Sequence, residues 1–300
     1  MHEKKNKKCE AGEKKKLLVS FSGGETSAYM AQWLWNHKQD EFDMVFVFAN
    51  TGQENEETLL FVEKCSKQFG FPVHWVESVV HHGKRKGTTH KVVDFKTASR
   101  NGEPFEEIIT KYGIPNQAFP HCTRETKLNP ITSFTKDYFG TRKYYTAIGI
   151  RIDEADRMNA KAKERRLIYP LISKDYIPMT KPKINFWWQQ QPFRLQLKGY
   201  QGNCKTCWKK SDKKLFLIAN ENPEWFNFMN RMEEKYPRIG AEFKKDPECV
   251  DRVFFRKNRS VKDIMNEAQG FDGKVLDDSD VYDMDLVGGE SCEVWSSCGD

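Results

Sequence analysis

Ser22-Gly23-Gly24-Glu25-Thr26-Ser27 gathers two glycines and three hydroxyls within six residues. Glycines let backbone N–H groups converge on an anion, and a helix starting behind the turn adds the partial positive charge of its N-terminus. The Ser22, Thr26 and Ser27 hydroxyls are further donors. No lysine sits in the turn and GxxxxGK[ST] is absent, so this is not a Walker loop. A plain turn is the competing reading of the tripeptide alone. A second chemical signal is Cys204-Lys205-Thr206-Cys207, whose spacing lets two thiolates meet one metal or form a redox pair.

The elements that must hold these residues follow from periodicity. Leu17 to Phe21 is a short apolar run, and Thr26 to His37 carries Tyr29, Met30, Trp33 and Leu34 on one helical face. Met44 to Ala49 reads as a second buried strand ending at Asn50-Thr51-Gly52, Glu56 to Phe69 as a second helix, and Val73 to Val76 as a third strand. Strands alternating with helices imply right-handed crossovers, hence a doubly wound parallel α/β sheet whose ligands sit at the carboxyl ends of the strands. That is where Ser22-Gly23-Gly24 and Asn50-Thr51-Gly52 fall, and Gly149-Ile150-Arg151 follows a later strand, Lys143 to Ile150. Position therefore favours an anion site over a plain turn.

The expected organisation is a basic disordered tail (1–16), an α/β nucleotide-binding domain (17–175), a mainly helical, cysteine-containing region (176–272) and an acidic tail (273–300). Residues 77–104, basic and rich in His and Gly, read as a surface insertion in the α/β domain. Further helices are expected at 123–138, 180–197, 211–220, 223–235 and 260–268.

Four ordered motifs, SFSGGETSAYM, ANTGQENEETLLFV, CTRETKLNPI and GIRIDEADR, resemble those of the PP-loop ATP pyrophosphatases, most of all the phosphoadenosine phosphosulfate (PAPS) reductase-like branch, over about residues 17–172. The resemblance implies an adenine nucleotide alpha-hydrolase-like, Rossmann-like core binding ATP or a related adenine nucleotide. In it Ser22, Gly23, Gly24, Thr26 and Ser27 would hold phosphate, and Asn50, Thr51, Gly52, Arg124 and Gly149 would belong to the same nucleotide site. Arg151 would face the phosphate or sulfate end, with Lys127 and Cys122 also in catalytic positions. Attack at phosphate or sulfate builds charge on equatorial oxygens, which an arginine and backbone donors stabilise without moving. Asp153 and Glu154 could hold Mg2+ or pair with Arg157 and Arg165.

Members of this branch that carry an iron–sulfur cluster have a cysteine pair where this chain has His121-Cys122. Cys122, Cys204 and Cys207 could hold a [4Fe–4S] cluster with one iron open, or His121 could complete a Zn2+ site; three inert thiols are the third reading. Sulfonucleotide reduction needs a mobile Glu-Cys-Gly-type cysteine near the C-terminus. Here there is Gly289-Glu290-Ser291-Cys292 and then Cys298, so a Cys292 nucleophile and a solvated tail with incidental thiols both stay open.

The main functional expectation is an enzyme that activates or cleaves an adenine nucleotide at a phosphate, coupled to a sulfur-transfer, thiol or iron–sulfur step. A sulfonucleotide reductase and a nucleotide-sensing or nucleic-acid-binding subunit of a modification or defence assembly are the alternatives. A formal charge of +6 suits an anionic ligand, although the N-terminal lysines supply much of it. RNA or DNA would use Phe186-Trp187-Trp188 for stacking and Lys84-Arg85-Lys86 for phosphates, although aromatic clusters are usually core. His81, His82 and His90 read as a solvated face. Eight cysteines with no export signal and no apolar run of spanning length point to a cytoplasmic protein with thiols or metal ligands; a homodimer or a larger assembly stays open.

Overall fold

The computed structural model describes residues 13–83, 85–240 and 242–273. Cys292 and Cys298 lie outside the described residues. In chain order the elements are β1 (Lys15–Ser20), α1 (Glu25–His37), β2 (Phe42–Ala49), α2 (Glu56–Phe69), β3 (Val73–Val80), β4 (Thr88–Val93), α3 (Glu103–Tyr112), α4 (Asn129–Phe139), β5 (Tyr145–Ala147), β6 (Leu167–Ile168), α5 (Lys181–Gln189), α6 (Asp212–Glu221), α7 (Asn227–Lys235), α8 (Glu242–Lys245) and α9 (Val261–Gln269). No helix among the described residues is long and apolar enough to cross a membrane.

The strands form one sheet in the order β4-β3-β2-β1-β5-β6, parallel throughout except at β4. The chain moves outward from β1 through β2 and β3, then returns to the other side of β1 to lay down β5. The crevice between the ends of β1 and β5 is thus a topological switch point, where open α/β sheets bind ligands. Alternation along β1 explains why its apolar run is continuous. Leu17, Val19 and Phe21 enter a cluster with α1, α2 and α5, while Leu18 packs with Val45, Val47 and α4 residues Ile131 and Phe134 on the opposite face.

A third cluster joins α3, α6, α7 and α9 through Phe105, Ile109, Leu215, Ile218, Phe228, Met232 and Ile264. Trp188 is fully buried in the cluster beside α1, its Nε1–H donating to Glu25 O at 3.0 Å. Trp187 stacks edge-on against Tyr29. The aromatic trio is therefore mostly core, and only Phe186 is well exposed, at 63%.

Three segments differ from the sequence reading. Residues 77–104 are not simply a surface insertion: β3 runs on to Val80 and turns back into β4, in register from Val80↔Thr88 to Trp75↔Val93. Antiparallel pairing needs only a short turn, and the polar outer strand suits a sheet edge. The helix expected at 123–138 begins as a π-helical turn, Arg124–Leu128, before α4. Pro130 has no N–H to extend an α ladder, and Asn129 N–H reaches five residues back to Arg124 O. Helix α5 stops at Gln189, ahead of Pro192, rather than at Leu197.

Candidate active site at the glycine turn

Gly23 takes φ +84°, and a Cβ there would lie 2.8 Å from Thr58 Cγ2 and 3.0 Å from Phe48 Cε2. Only glycine fits between the turn and α2. Gly24 is the N-cap of α1 and offers no side chain to the first-turn N–H groups. Ser27 is buried; its hydroxyl donates to Gly24 O at 2.9 Å and accepts from Ser22 N–H at 3.2 Å. With its one proton so used, Ser27 accepts the Ser22 hydroxyl at 2.9 Å. Ser27 braces the turn from within, while Ser22, Gly24 and Thr26 are half-buried at its outer side.

Arg151 follows β5 and crosses the switch point. Its Nη1 donates to Thr26 Oγ1 at 3.0 Å, and its Nη2 lies 2.9 Å from Asp153 Oδ2. Glu154 sits 3.2 Å from the same guanidinium and also pairs with Arg157, while Asp153 accepts Lys181 N–H at 3.1 Å. The acidic pair thus orients Arg151. Gly149 makes the approach close enough: a Cβ there would meet Ser27 Cα at 3.1 Å.

The 50–54 loop faces inward. Asn50 Nδ2 donates to Glu77 Oε1 (2.6 Å) and Ser99 O (2.8 Å), and Asn50 Oδ1 accepts Gly52 N–H. Thr51 gives its N–H and hydroxyl to the Glu54 carboxylate. Asn50, Thr51 and Gly52 are all buried, so they shape the end of β2 rather than present side chains to the crevice. The Arg124 side chain is 59% exposed and pairs with its neighbour Glu125.

Besides Trp188, two further side chains of the helical region reach the turn. Arg194 pairs with Glu25 at 3.0 Å, and Asn203 Nδ2 donates to Ser22 O at 2.9 Å. Around Asn203 the chain is strapped to the 53–55 loop by Asn55 N–H to Asn203 O, Lys205 N–H to Gln53 O and an isolated bridge between Glu54 and Cys204. Cys204 Sγ thereby lies 3.9 Å from Glu54 Oε1 and 3.9 Å from Lys127 Nζ, with Lys127 and Glu54 3.7 Å apart. Glu54, Asn203 and Lys210, whose Nζ donates to Cys204 O, escaped the sequence reading. The pattern Gln53-Glu54-Asn55 beside a strand-end turn was the only signal.

Among the described residues no three His, Cys, Asp or Glu side chains converge as an ion-binding group. His121 is engaged elsewhere: its Nε2 lies 3.1 Å from Gly113 O, a carbonyl that only accepts, so this nitrogen carries the proton.

Burial, with the Arg252 and Arg124 charges, pushes the His121 pKa down to about 4. The fold therefore holds the neutral ring. This stability is complete above the ordinary value near 6.5 and is lost as pH falls toward 4. Urea unfolding at pH 5 is expected to show about 2 kcal/mol less stability from this residue than at pH 7. His121→Gln should remove that part of the pH dependence; an unchanged profile contradicts the assignment.

A strand, glycine turn and helix at the switch point of a mainly parallel sheet, with an arginine delivered from the neighbouring strand, define an α/β protein of the PP-loop class. The family model described as phosphoadenosine phosphosulfate reductase domain matches residues 16–167, and the chain belongs to that family. The uncharacterized nin region protein ORF290 of Escherichia phage lambda is 36% identical over 208 residues, covering 68% of this chain and 69% of that protein. Two Methanocaldococcus jannaschii proteins, the uncharacterized proteins MJ0066 and MJ0973, are 25% and 26% identical; the matches cover 74% and 50% of this chain but 43% and 29% of theirs. No solved structure matches the chain.

Proposed function

We propose that this chain is an adenine-nucleotide-dependent enzyme that opens its nucleotide at a phosphate and couples that event to a thiol step at the Cys204 loop. The observation that carries the reading is the Arg151 guanidinium, braced by Asp153 and Glu154, donating to Thr26 on the glycine turn. In this reading the half-buried outer side of the turn and the first-turn N–H groups of α1 receive the anionic end of the nucleotide. Negative charge that grows on equatorial oxygens during attack meets Arg151 already in position, with no reorganisation needed. The Gly202–Lys205 strap brings a thiol to the same end of the sheet, which supports the coupling to sulfur chemistry.

Release of pyrophosphate or AMP from ATP, measured alone and with RNA or DNA, tests the reaction; release of sulfite from an adenylated sulfate tests the reductase variant. Turnover of either nucleotide class, dependent on Arg151, is the expected result. Tight binding without turnover of any of them makes the chain a sensor and contradicts the enzymatic reading.

A further inference from the structure

Two consecutive residues of the glycine turn are each met by an arginine from another part of the chain. Thr26 takes Arg151, and Glu25, the first residue of α1, takes Arg194. The second pairing is two-pronged: Arg194 Nε donates to Glu25 Oε1 at 3.0 Å and Nη2 to Oε2 at 3.2 Å, while Leu195 N–H donates to Oε1 at 3.3 Å. Both side chains lie largely out of water, with 22% of Arg194 and 13% of Glu25 exposed. The neighbours of Arg194 fix it there. Phe193 packs its ring against Phe61, Phe69 and Trp188, Leu195 packs on the same core cluster, and Trp188 Nε1–H holds the Glu25 carbonyl at 3.0 Å.

Glu25 is the only acidic residue between Ser22 and Ser27. A helix N-terminus carries about half a positive charge, so a full negative charge in its first turn outweighs it where an anion is to bind. The nearby cations do not make up the deficit, because Arg151 and Arg157 stand against Asp153 and Glu154.

We infer that Arg194 is a positioning residue of the nucleotide site: by clamping the Glu25 carboxylate it cancels the one negative charge of the glycine turn and leaves the N-terminus of α1 open to a polyphosphate. In the nucleotide reading above, on which this role rests, Arg194 acts through Glu25 and not on the ligand. The helical region must then be docked on the turn before a polyphosphate binds well. A clamp that only holds two segments together and a clamp that cancels charge differ in what the pair of substitutions does. In the first case loss of either partner weakens binding and loss of both brings no recovery. In the second, loss of the arginine exposes the carboxylate, loss of the carboxylate does no harm, and loss of both restores a neutral turn.

Calorimetric titration of the purified full chain with inorganic pyrophosphate and with ATP decides between them, using wild type, Arg194→Met, Arg194→Lys, Glu25→Gln and the double variant Glu25→Gln/Arg194→Met. Arg194→Met is expected to weaken both ligands by about tenfold, the effect of one uncompensated charge close to the anion. Arg194→Lys keeps the charge and should stay within about threefold of wild type, as should the double variant, and Glu25→Gln should bind at least as tightly as wild type. Thermal melts report which variants are folded. If Arg194→Met does not fold, Glu25→Gln decides alone, since affinity lost on removing the acidic charge overturns the inference. Arg194→Met within about twofold of wild type, or a double variant as weak as Arg194→Met, also overturns it. Pyrophosphate binding with the expected pattern but no ATP binding leaves the Arg194 role standing and removes the nucleotide reading. ATP binding that is indifferent to all four variants does the reverse.

Discussion

Arg151→Ala is expected to lower turnover of the nucleotide by about 10²–10³-fold, the usual loss when one preorganised donor to developing charge is removed. Arg151 is 7% exposed and serves Thr26, Asp153 and Glu154 at once. The substitution also leaves Asp153 without its main counter-charge in a poorly hydrated place. Breaking a buried pair costs about 3–5 kcal/mol, and Glu154 is partly protected by Arg157. Arg151→Lys separates the two effects. A lysine keeps the positive charge for the carboxylates but loses the planar fork, so stability should recover largely while turnover stays well below wild type. Recovery of full turnover with lysine would contradict a role for the fork in catalysis. The measurement is steady-state kinetics beside a thermal melt.

The second large effect is expected at Gly23. Alanine there would carry φ +84° and a Cβ 2.8 Å from Thr58 Cγ2. The left-handed backbone costs about 1–2 kcal/mol and the overpacking about 1–3 kcal/mol, so Gly23→Ala should lose about 2–5 kcal/mol and nucleotide binding with it. Gly24 provides the contrast. Its φ is −97°, and a Cβ there meets nothing nearer than 3.8 Å. Gly24→Ala should melt within a few degrees of wild type, so any loss of nucleotide affinity in that variant reports on the crevice itself. If Gly23→Ala is as stable as Gly24→Ala, the described packing of the turn on α2 is wrong.

The local parts of the architecture were legible because each is written in a short window. Leu17 to Ser22 shows an apolar run ending in glycines, and Tyr29, Met30, Trp33 and Leu34 repeat at helical spacing. The edge pair β3–β4 was hidden because His81-His82-Gly83 and the basic residues after it look like surface loop, and strand β4 carries polar groups outward. Helix α3 is only ten residues long, and its buried face, Phe105, Ile108 and Ile109, is too short a run to show a helical period on its own.

Direction was harder to read than position. Ser27 in the first turn of α1 and Asn50 just after β2 are donors, which is what a ligand contact looks like in sequence, yet their hydrogen bonds turn inward to Gly24 and Glu77. A sequence gives the donor type without the direction in which it points. The Cys204, Lys127 and Glu54 grouping was out of reach for another reason. Its members are separated by 77 and 150 positions, and only the docking of the helical region on the 53–55 loop joins them.

The central claim is that the glycine turn and Arg151 receive the anionic end of an adenine nucleotide. Calorimetric titration of wild-type and Arg151→Ala protein with ATP, AMP and adenosine addresses it most directly. The expected result is affinity that falls steeply from ATP to AMP to adenosine in the wild type, and flattens in the variant because the loss falls on the phosphate-bearing ligands. Equal affinity for ATP and adenosine, or a ranking that survives Arg151→Ala unchanged, would contradict it.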